Sequence, residues 1–312
     1  MILRLFSIKN LLGLGLFLIF SISSFAQDGD EFEDEPVRVS QKGFHAGLFI
    51  GSYFANSHSA SLYDGYGFDF EGNRNSFEQS WMYRKIVEQY GGGLSTSVTD
   101  FIAEELGVPH EDWNFNESDM PGNMKYKTAF SVGFNGRYSV DEQNAVLLNV
   151  NGSILKAVGN FTITTRPLPG STQINNSIKT FNISGGEQRL LFQVGYQHLF
   201  GKGEGIHFFM EGGLHGTLAK FDRNEIQIEG LLINLVEDYY DPVNGYTFFT
   251  GSKPVGFGLG AFAGLGLHFE TNSKWNIQFV YNPLLEKVNI GYNPKLTLNN
   301  AVGLRAYYML IK

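Results

Sequence analysis

Cysteine is absent from all 312 residues, which excludes disulfides, thiol nucleophiles, thiolate metal sites and a lipidated N-terminal cysteine. Positive charge is also short. Lys and Arg number 23 against 31 Asp and Glu, a formal net charge of −8. Nucleic acid, whose phosphates demand a basic surface, is therefore excluded as a partner. Past the N-terminus there is no apolar run long enough to cross a membrane as a helix, and only 43% of the chain is hydrophobic. No internal repeat of about 20–50 residues and no second domain emerge. No cofactor, metal or catalytic residue is assigned.

The one apolar run sits at the start. Arg4 and Lys9 precede an apolar stretch at residues 11–20, and small residues lead up to Ala26. This reads as a signal peptide, residues 1–26, too short at its core for the ~20 residues of a spanning helix. Residues 27–42 follow as an acidic periplasmic tail carrying Asp28, Asp30, Glu31, Glu33, Asp34 and Glu35. Such a block is solvated, with docking of a periplasmic partner as its functional reading.

What the chain does have is alternation. From Phe130 to Tyr138, Phe130, Val132, Phe134 and Tyr138 fall on one face while Ser131, Asn135 and Arg137 fall on the other. Continuing that parity backwards puts Lys125 and Lys127 on the polar face as well. Strands are expected at 43–55, 124–138, 145–158, 189–200, 206–220, 255–269, 275–284 and 298–311. Most reach or exceed the ~9–11 residues that a tilted strand needs to cross a bilayer. Tight polar turns at 139–142, 201–204 and 270–273 alternate with longer connections at 56–123, 159–188, 221–254 and 286–297. Short periplasmic turns and long external loops are the pattern of an outer-membrane barrel.

The predicted fold is therefore all-β: an eight-stranded antiparallel up-and-down transmembrane β-barrel over residues 43–312, with long external loops, one of which holds short helices. Longer strands or extra pairs near residues 161–183 and 226–249 would make ten the alternative. At eight strands the interior is just wide enough for side chains to fill it. The inward faces carry Arg137, Arg189, Glu211, His215, His268, Glu270 and Arg305, expected to form a polar network of ion pairs rather than an open channel. The glycines of residues 256–266 fall mostly inward, opposite outward Phe257, Leu259, Ala261, Ala263 and Leu265. No helix follows them, so they make room in a narrow lumen or bend the strand rather than cradle phosphate. Aromatics at strand ends, among them Phe54, Tyr138, Tyr196, Phe200, Phe269, Trp275, Tyr281 and Tyr308, suit interfacial girdles.

With its Gly-rich strands and terminal strand at 301–311, the chain resembles the small OmpA/OmpX-type barrels and, among these, PorT-like outer-membrane barrel proteins. It departs from many barrels of this type in ending Leu310-Ile311-Lys312 instead of on an aromatic residue. The resemblance implies an integral outer-membrane protein in contact with lipid, serving as an anchor, adhesin, secretion accessory or, in a few members, a lipid-modifying enzyme. Fold does not choose among these, so function is sought in the loops.

The loop insertion at 56–123 is the longest. Helices are expected at 77–90, capped by Ser76 and stopped by Gly91, and at 98–106, capped by Ser97 or Thr99 and stopped by Gly107. Tyr63, Tyr66, Phe68, Trp81, Tyr83 and Arg84 are its candidate partner-binding residues, in an ordered subdomain that contacts a protein or shields the barrel mouth. The apolar run 226–236 is expected to prolong the strands as a hairpin or to pack on that loop. Glu237, Asp238 and Asp241 form a weak calcium candidate, their spacing matching no defined loop. An enzyme would need a histidine, a hydroxyl and a carboxylate near the rim; Glu211, His215, Ser131 and Ser153, and less so His58 and His110, are the residues to weigh. The preferred reading is a non-enzymatic barrel whose loops bind a partner or ligand; a lipid-modifying enzyme and then a narrow channel are the alternatives.

Overall fold

The computed structural model describes residues 42–69, 71–93, 99–167, 176–201, 205–236, 239–241, 246–248, 253–271, 274–291 and 294–311. The signal peptide, the acidic tail to residue 41, the expected caps Ser97 and Val98 start, Glu237 and Asp238 lie outside these residues, as does the side chain of Asp241.

Eight strands close into a ring: β1 (Gly43–Phe54), β2 (Ala129–Ser139), β3 (Asn144–Thr165), β4 (Ser177–Phe200), β5 (Ile206–Ile228), β6 (Val255–Glu270), β7 (Trp275–Val288) and β8 (Leu296–Ile311). Each pairs antiparallel with its successor, and β8 returns to β1 with Arg305 opposite Phe49. Closure lets the backbone satisfy its own hydrogen bonds within the ring, as a lipid environment requires. Eight strands is thus the ring count.

Strand length is uneven. β1 and β2 have 12 and 11 residues, whereas β3, β4 and β5 have 22, 24 and 23. The shorter pair suffices to cross the bilayer, and at ~3.3 Å per residue the longer three run roughly 33–43 Å further along the strand as a wall. Most of the expected loop at 159–188 is therefore strand, paired from Gly159–Ile183 to Thr165–Ser177. β5 likewise continues past Lys220 and folds back on a short strand, Leu231–Asn234. β7 runs past Leu284 to Val288. The expected ends fall where outward residues turn polar, as at Lys156, Gln188 and Lys220; that change marks the edge of the apolar belt, and the sheet goes on.

Two one-residue slips reset the faces. Lys125 pairs with Val158, but Ser131 pairs with Ser153, so β2 and the short strand before it differ by one residue of register. A slip of one turns every side chain to the other face. Lys125 and Lys127 consequently point outward and are exposed, not inward as their parity with Arg137 suggested. On β5 the pairing shifts at Gly186/Glu187, and beyond it Asn224, Ile226 and Ile228 are the buried residues.

The long first connection folds as a cap. A 3-10 helix, Ser57–Tyr63, leaves β1; an α-helical turn, Trp81–Tyr83, runs into a π-helix, Arg84–Tyr90; and an α-helix, Phe101–Leu106, follows. Ser80, not Ser76, caps the first by accepting from the Tyr83 amide, and Asp100 caps the second by accepting from that of Ala103. Gly107 stops the second helix at φ +67°, a left-handed position that suits glycine. Trp81, Met82, Ile86, Ile102, Leu106 and Phe115 pack on Phe161, Ile163, Ile183, Phe221, Ile226 and Ile233 of the wall. The wall's inner face thus changes character with height: polar where it lines the lumen, apolar where it receives the cap. The run 226–236 both forms a hairpin and packs on the first loop.

Candidate functional site

The period-2 pattern aims charged side chains into a lumen with little room, and they resolve into separate clusters. In the middle of the ring, Arg305 on β8 grips Glu211 on β5 with two parallel hydrogen bonds, Nη1 to Oε2 at 2.7 Å and Nη2 to Oε1 at 2.8 Å. Gln197 and Asn282 also donate to Glu211, at 3.1 and 3.5 Å. Both ions are buried. Fork-to-fork geometry of this kind is the strong form of an ion pair. Beside it Asn135, Asn149 and Gln193 form an amide ladder across three strands, with contacts of 2.7 and 3.1 Å.

Nearer the long-loop mouth, Arg189 Nε donates to Glu187 Oε1 at 2.5 Å and its Nη1 to the Tyr53 hydroxyl at 3.0 Å. Tyr53 donates in turn to Glu286 Oε1 at 3.1 Å. Glu286 also receives Asn299 at 2.7 Å and meets His215 Nε2 at 2.9 Å and the Thr217 hydroxyl. The cap reaches into this cluster: Ser59 Oγ accepts from Arg189 at 3.0 Å, and Tyr63 donates to Glu187 at 3.1 Å. Burial, and then the charge of Glu187, hold the Tyr63 hydroxyl protonated well above the ordinary tyrosine range.

Sequence parity placed Arg137, Arg189, Glu211, His215, His268 and Arg305 inward, and all six are buried there. Glu270 lies at the turn end, partly exposed and 3.8 Å from His268. The partners differ from the simplest pairing: Glu211 takes Arg305, while His215 takes Glu286. Glu187, Glu286 and Tyr53 were missed. The signal was present, since Glu286 continues the inward series Asn276, Gln278, Asn282 and Glu187 sits two positions before Arg189, but the expected strands stopped short of both.

His215 does not have the geometry of an acyl-transfer base. Its Nε2 faces both the Thr217 hydroxyl and Glu286, and its Nδ1 has no hydrogen-bond partner among the described residues. A catalytic relay needs hydroxyl and carboxylate on opposite ring nitrogens. Ser131 and Ser153 pair with each other across β2 and β3. In the cap, Asp100 Oδ2 takes His110 Nδ1 at 2.8 Å and Trp113 Nε1 at 3.0 Å, tying the second helix to the segment after it. Among the described residues no cluster of His, Asp and Glu is arranged to hold a metal.

The candidate partner residues are split by burial. Tyr63, Tyr66 and Trp81 are interior residues of the cap, so they hold it to the wall and are not available to a partner; Phe68, Tyr83 and Arg84 are half-buried at its edge. Their aromatic character reflects packing: Trp81 meets Phe68 at 5.0 Å, and Tyr63 stacks on Phe221 at 4.9 Å.

Outside the ring the pattern inverts. Leu48, Ile50, Phe130, Leu148, Ile154, Val194, Leu214, Leu259, Phe279 and Leu304 form a belt with 43–74% exposure. A continuous apolar band around a closed ring is far larger than water tolerates. Tyr138, Phe200, Phe208 and Trp275 edge it on the turn side. No helix of the described residues is long and apolar enough to cross a membrane; the closed ring of strands, with its apolar belt, is what spans one. The chain is an outer-membrane β-barrel.

Comparison with known proteins adds shape only. No family model matches the barrel, and no curated protein matches it. Among solved structures it is similar to Neisserial surface protein A, at 7% identity over 86% of this chain and 98% of the other, with a TM-score of 0.41. It is also similar to the N-terminal β-barrel domain of OprF from Pseudomonas aeruginosa, at 9% identity, 86% and 98% coverage and a TM-score of 0.33. Ail of Yersinia pestis, solved with the heparin analogue sucrose octasulfate, gives 10% identity, 86% and 100% coverage and 0.32. The barrel assignment rests on this chain's own ring and belt.

Proposed function

We propose that this barrel is a non-enzymatic anchor that holds an acidic external cap in a fixed pose for a protein partner with a basic face. One observation carries the reading: the cap is built onto the barrel as a single packed unit, by its shared hydrophobic core and by Tyr63 and Ser59 bonded into the lumen cluster. A rigid platform presents a surface at little ordering cost, which favours binding. The surface so presented carries exposed Asp69, Glu71, Glu78, Glu104, Glu111 and Glu117. Asp69 is held below the ordinary carboxylate range by hydrogen bonds from Asn73, so it stays ionised. The filled lumen gives a channel no support, and the ring-nitrogen geometry of His215 gives a lipid-modifying enzyme none. The architectural resemblance to PorT-like barrels fits a subunit of a larger envelope assembly.

The test is affinity purification of the mature chain, tagged at its acidic N-terminal segment and taken from outer membranes at native abundance. A stoichiometric partner is expected to co-purify, and Glu78→Lys, Glu104→Lys and Glu111→Lys together should release it while the barrel keeps its resistance to SDS. These three side chains are exposed, so the variant preserves the cap. A barrel that purifies alone, or a partner indifferent to the reversed charges, overturns the proposal.

A further inference from the structure

The register slip before β2 puts three lysines where its absence would have hidden two of them. Lys127 donates its amide to the Lys156 carbonyl at 2.9 Å, so the two strands pair there and the two side chains emerge together on the outer face. Lys125, two residues on, points the same way opposite Val158. Like charges set across a strand pair repel. Among the described residues no ion pair includes Lys125, Lys127 or Lys156; the one carboxylate in the groove beside them, Glu225, is 3.6 Å from Arg223. The groove has a volume of about 420 Å³, and Asn160, Asn182 and Gln227 supply amides along it.

Its height decides what meets it. Ile154 and Phe130, 58% and 62% exposed, are the last large apolar residues of the belt on these two strands. Lys156 is the next residue on the Ile154 face, ~6.6 Å higher. The polar head-group layer is ~5–7 Å thick on each side of the hydrocarbon. Lys156 and Lys127 opposite it therefore stand at head-group level on the long-loop, external side, with Lys125 a further ~6.6 Å along the strand. A basic pocket at that depth is the arrangement that captures lipid phosphate.

We propose that the Lys125–Lys127–Lys156 groove binds a phosphate-bearing head group of an outer-leaflet lipid, with the lysines on phosphate and the amides on adjoining polar groups. This is independent of any partner of the cap. A soluble phosphate has the same chemistry; contact of the groove with the belt favours the lipid, whose acyl chains would lie along Ile154 and Phe130.

The experiment uses the full mature barrel in micelles, with native mass spectrometry and a titration of three probes: bis-phosphorylated lipid A, the same lipid with both phosphates removed, and inorganic pyrophosphate. The phosphorylated lipid is expected to bind at least tenfold more tightly than either other probe. Lys125→Gln, Lys127→Gln and Lys156→Gln combined should weaken it by about 100-fold, from roughly one kcal/mol per basic residue at a lipid surface. Unboiled gel migration checks that the variant is folded. Equal affinity for the two lipids, or an unchanged affinity in the folded variant, overturns the proposal. Pyrophosphate binding as tightly as the phosphorylated lipid overturns the lipid assignment in favour of a soluble anion.

Discussion

Replacing Arg305 by methionine should destabilise the barrel by about 3–5 kcal/mol, because it strands Glu211 as a buried carboxylate. The structure sets the size of the effect. Arg305 supplies the two shortest bonds to Glu211, at 2.7 and 2.8 Å, and what remains is one neutral amide at 3.1 Å and another at 3.5 Å. Glu211→Met should cost a similar amount by stranding the guanidinium. Methionine suits this position because Glu211 Cγ lies 2.6 Å from where a Gly264 Cβ would be, a slot that admits an unbranched chain and not a branched one. The double variant removes both charges, and its cost should fall to about 1–2 kcal/mol, the loss of the acceptor for Gln197 and Asn282. Urea unfolding in micelles, followed by tryptophan fluorescence and by heat-dependent gel migration, measures all three. A double variant as unstable as the sum of the singles would refute the coupling, and an Arg305→Met barrel within ~1 kcal/mol of the parent would refute a buried, unscreened pair.

Three further outcomes follow from other parts of the molecule. Gly266→Ala places a Cβ 2.0 Å from the Phe279 carbonyl oxygen and 2.7 Å from the Phe209 ring, so stability should fall by about 1–3 kcal/mol, with less heat-resistant barrel recovered on refolding. Trp81→Ala empties the centre of the cap at a cost of about 3–5 kcal/mol to that unit, and limited proteolysis within residues 71–93 should accelerate while SDS resistance of the ring persists. Tyr63 carries a folded pKa raised above its ordinary value of 10.0, so its contribution is intact below that pH and is lost as pH rises beyond it. Cap proteolysis should therefore increase from about pH 10 upward, and Tyr63→Phe should flatten that rise; an unchanged profile would place the hydroxyl in water.

The inward residues show how far alternation reads. Parity alone identified Arg137, Arg189, Glu211, His215, His268 and Arg305 as lumenal and the Gly-rich face of β6 as mostly inward; that Glu211 and Phe209 fill the space beside Gly264 and Gly266 came from the structure. It failed at Lys125 and Lys127 because one extra residue reverses the phase, and nothing local marks the extra residue. It failed at Glu187 and Glu286 for a different reason: hydropathy reports the outer solvent, which changes from lipid to water partway up the wall, whereas the hydrogen-bonded ladder does not notice that change.

Antiparallel order, the membrane address and the polar lumen were thus legible in the sequence itself, since each follows from a period of two and from the lengths between turns, whereas eight strands against ten was decided by the pairing of the long wall strands. Which carboxylate neutralises which guanidinium, that Trp81 and Tyr63 are glue instead of contact surface, and that three lysines share one groove were decided only in the tertiary structure. Those facts depend on stagger between strands far apart in the chain, as with Glu286 on β7 and His215 on β5. Register across a closed ring is a collective property of every pairing at once, so no local pattern in the chain records it.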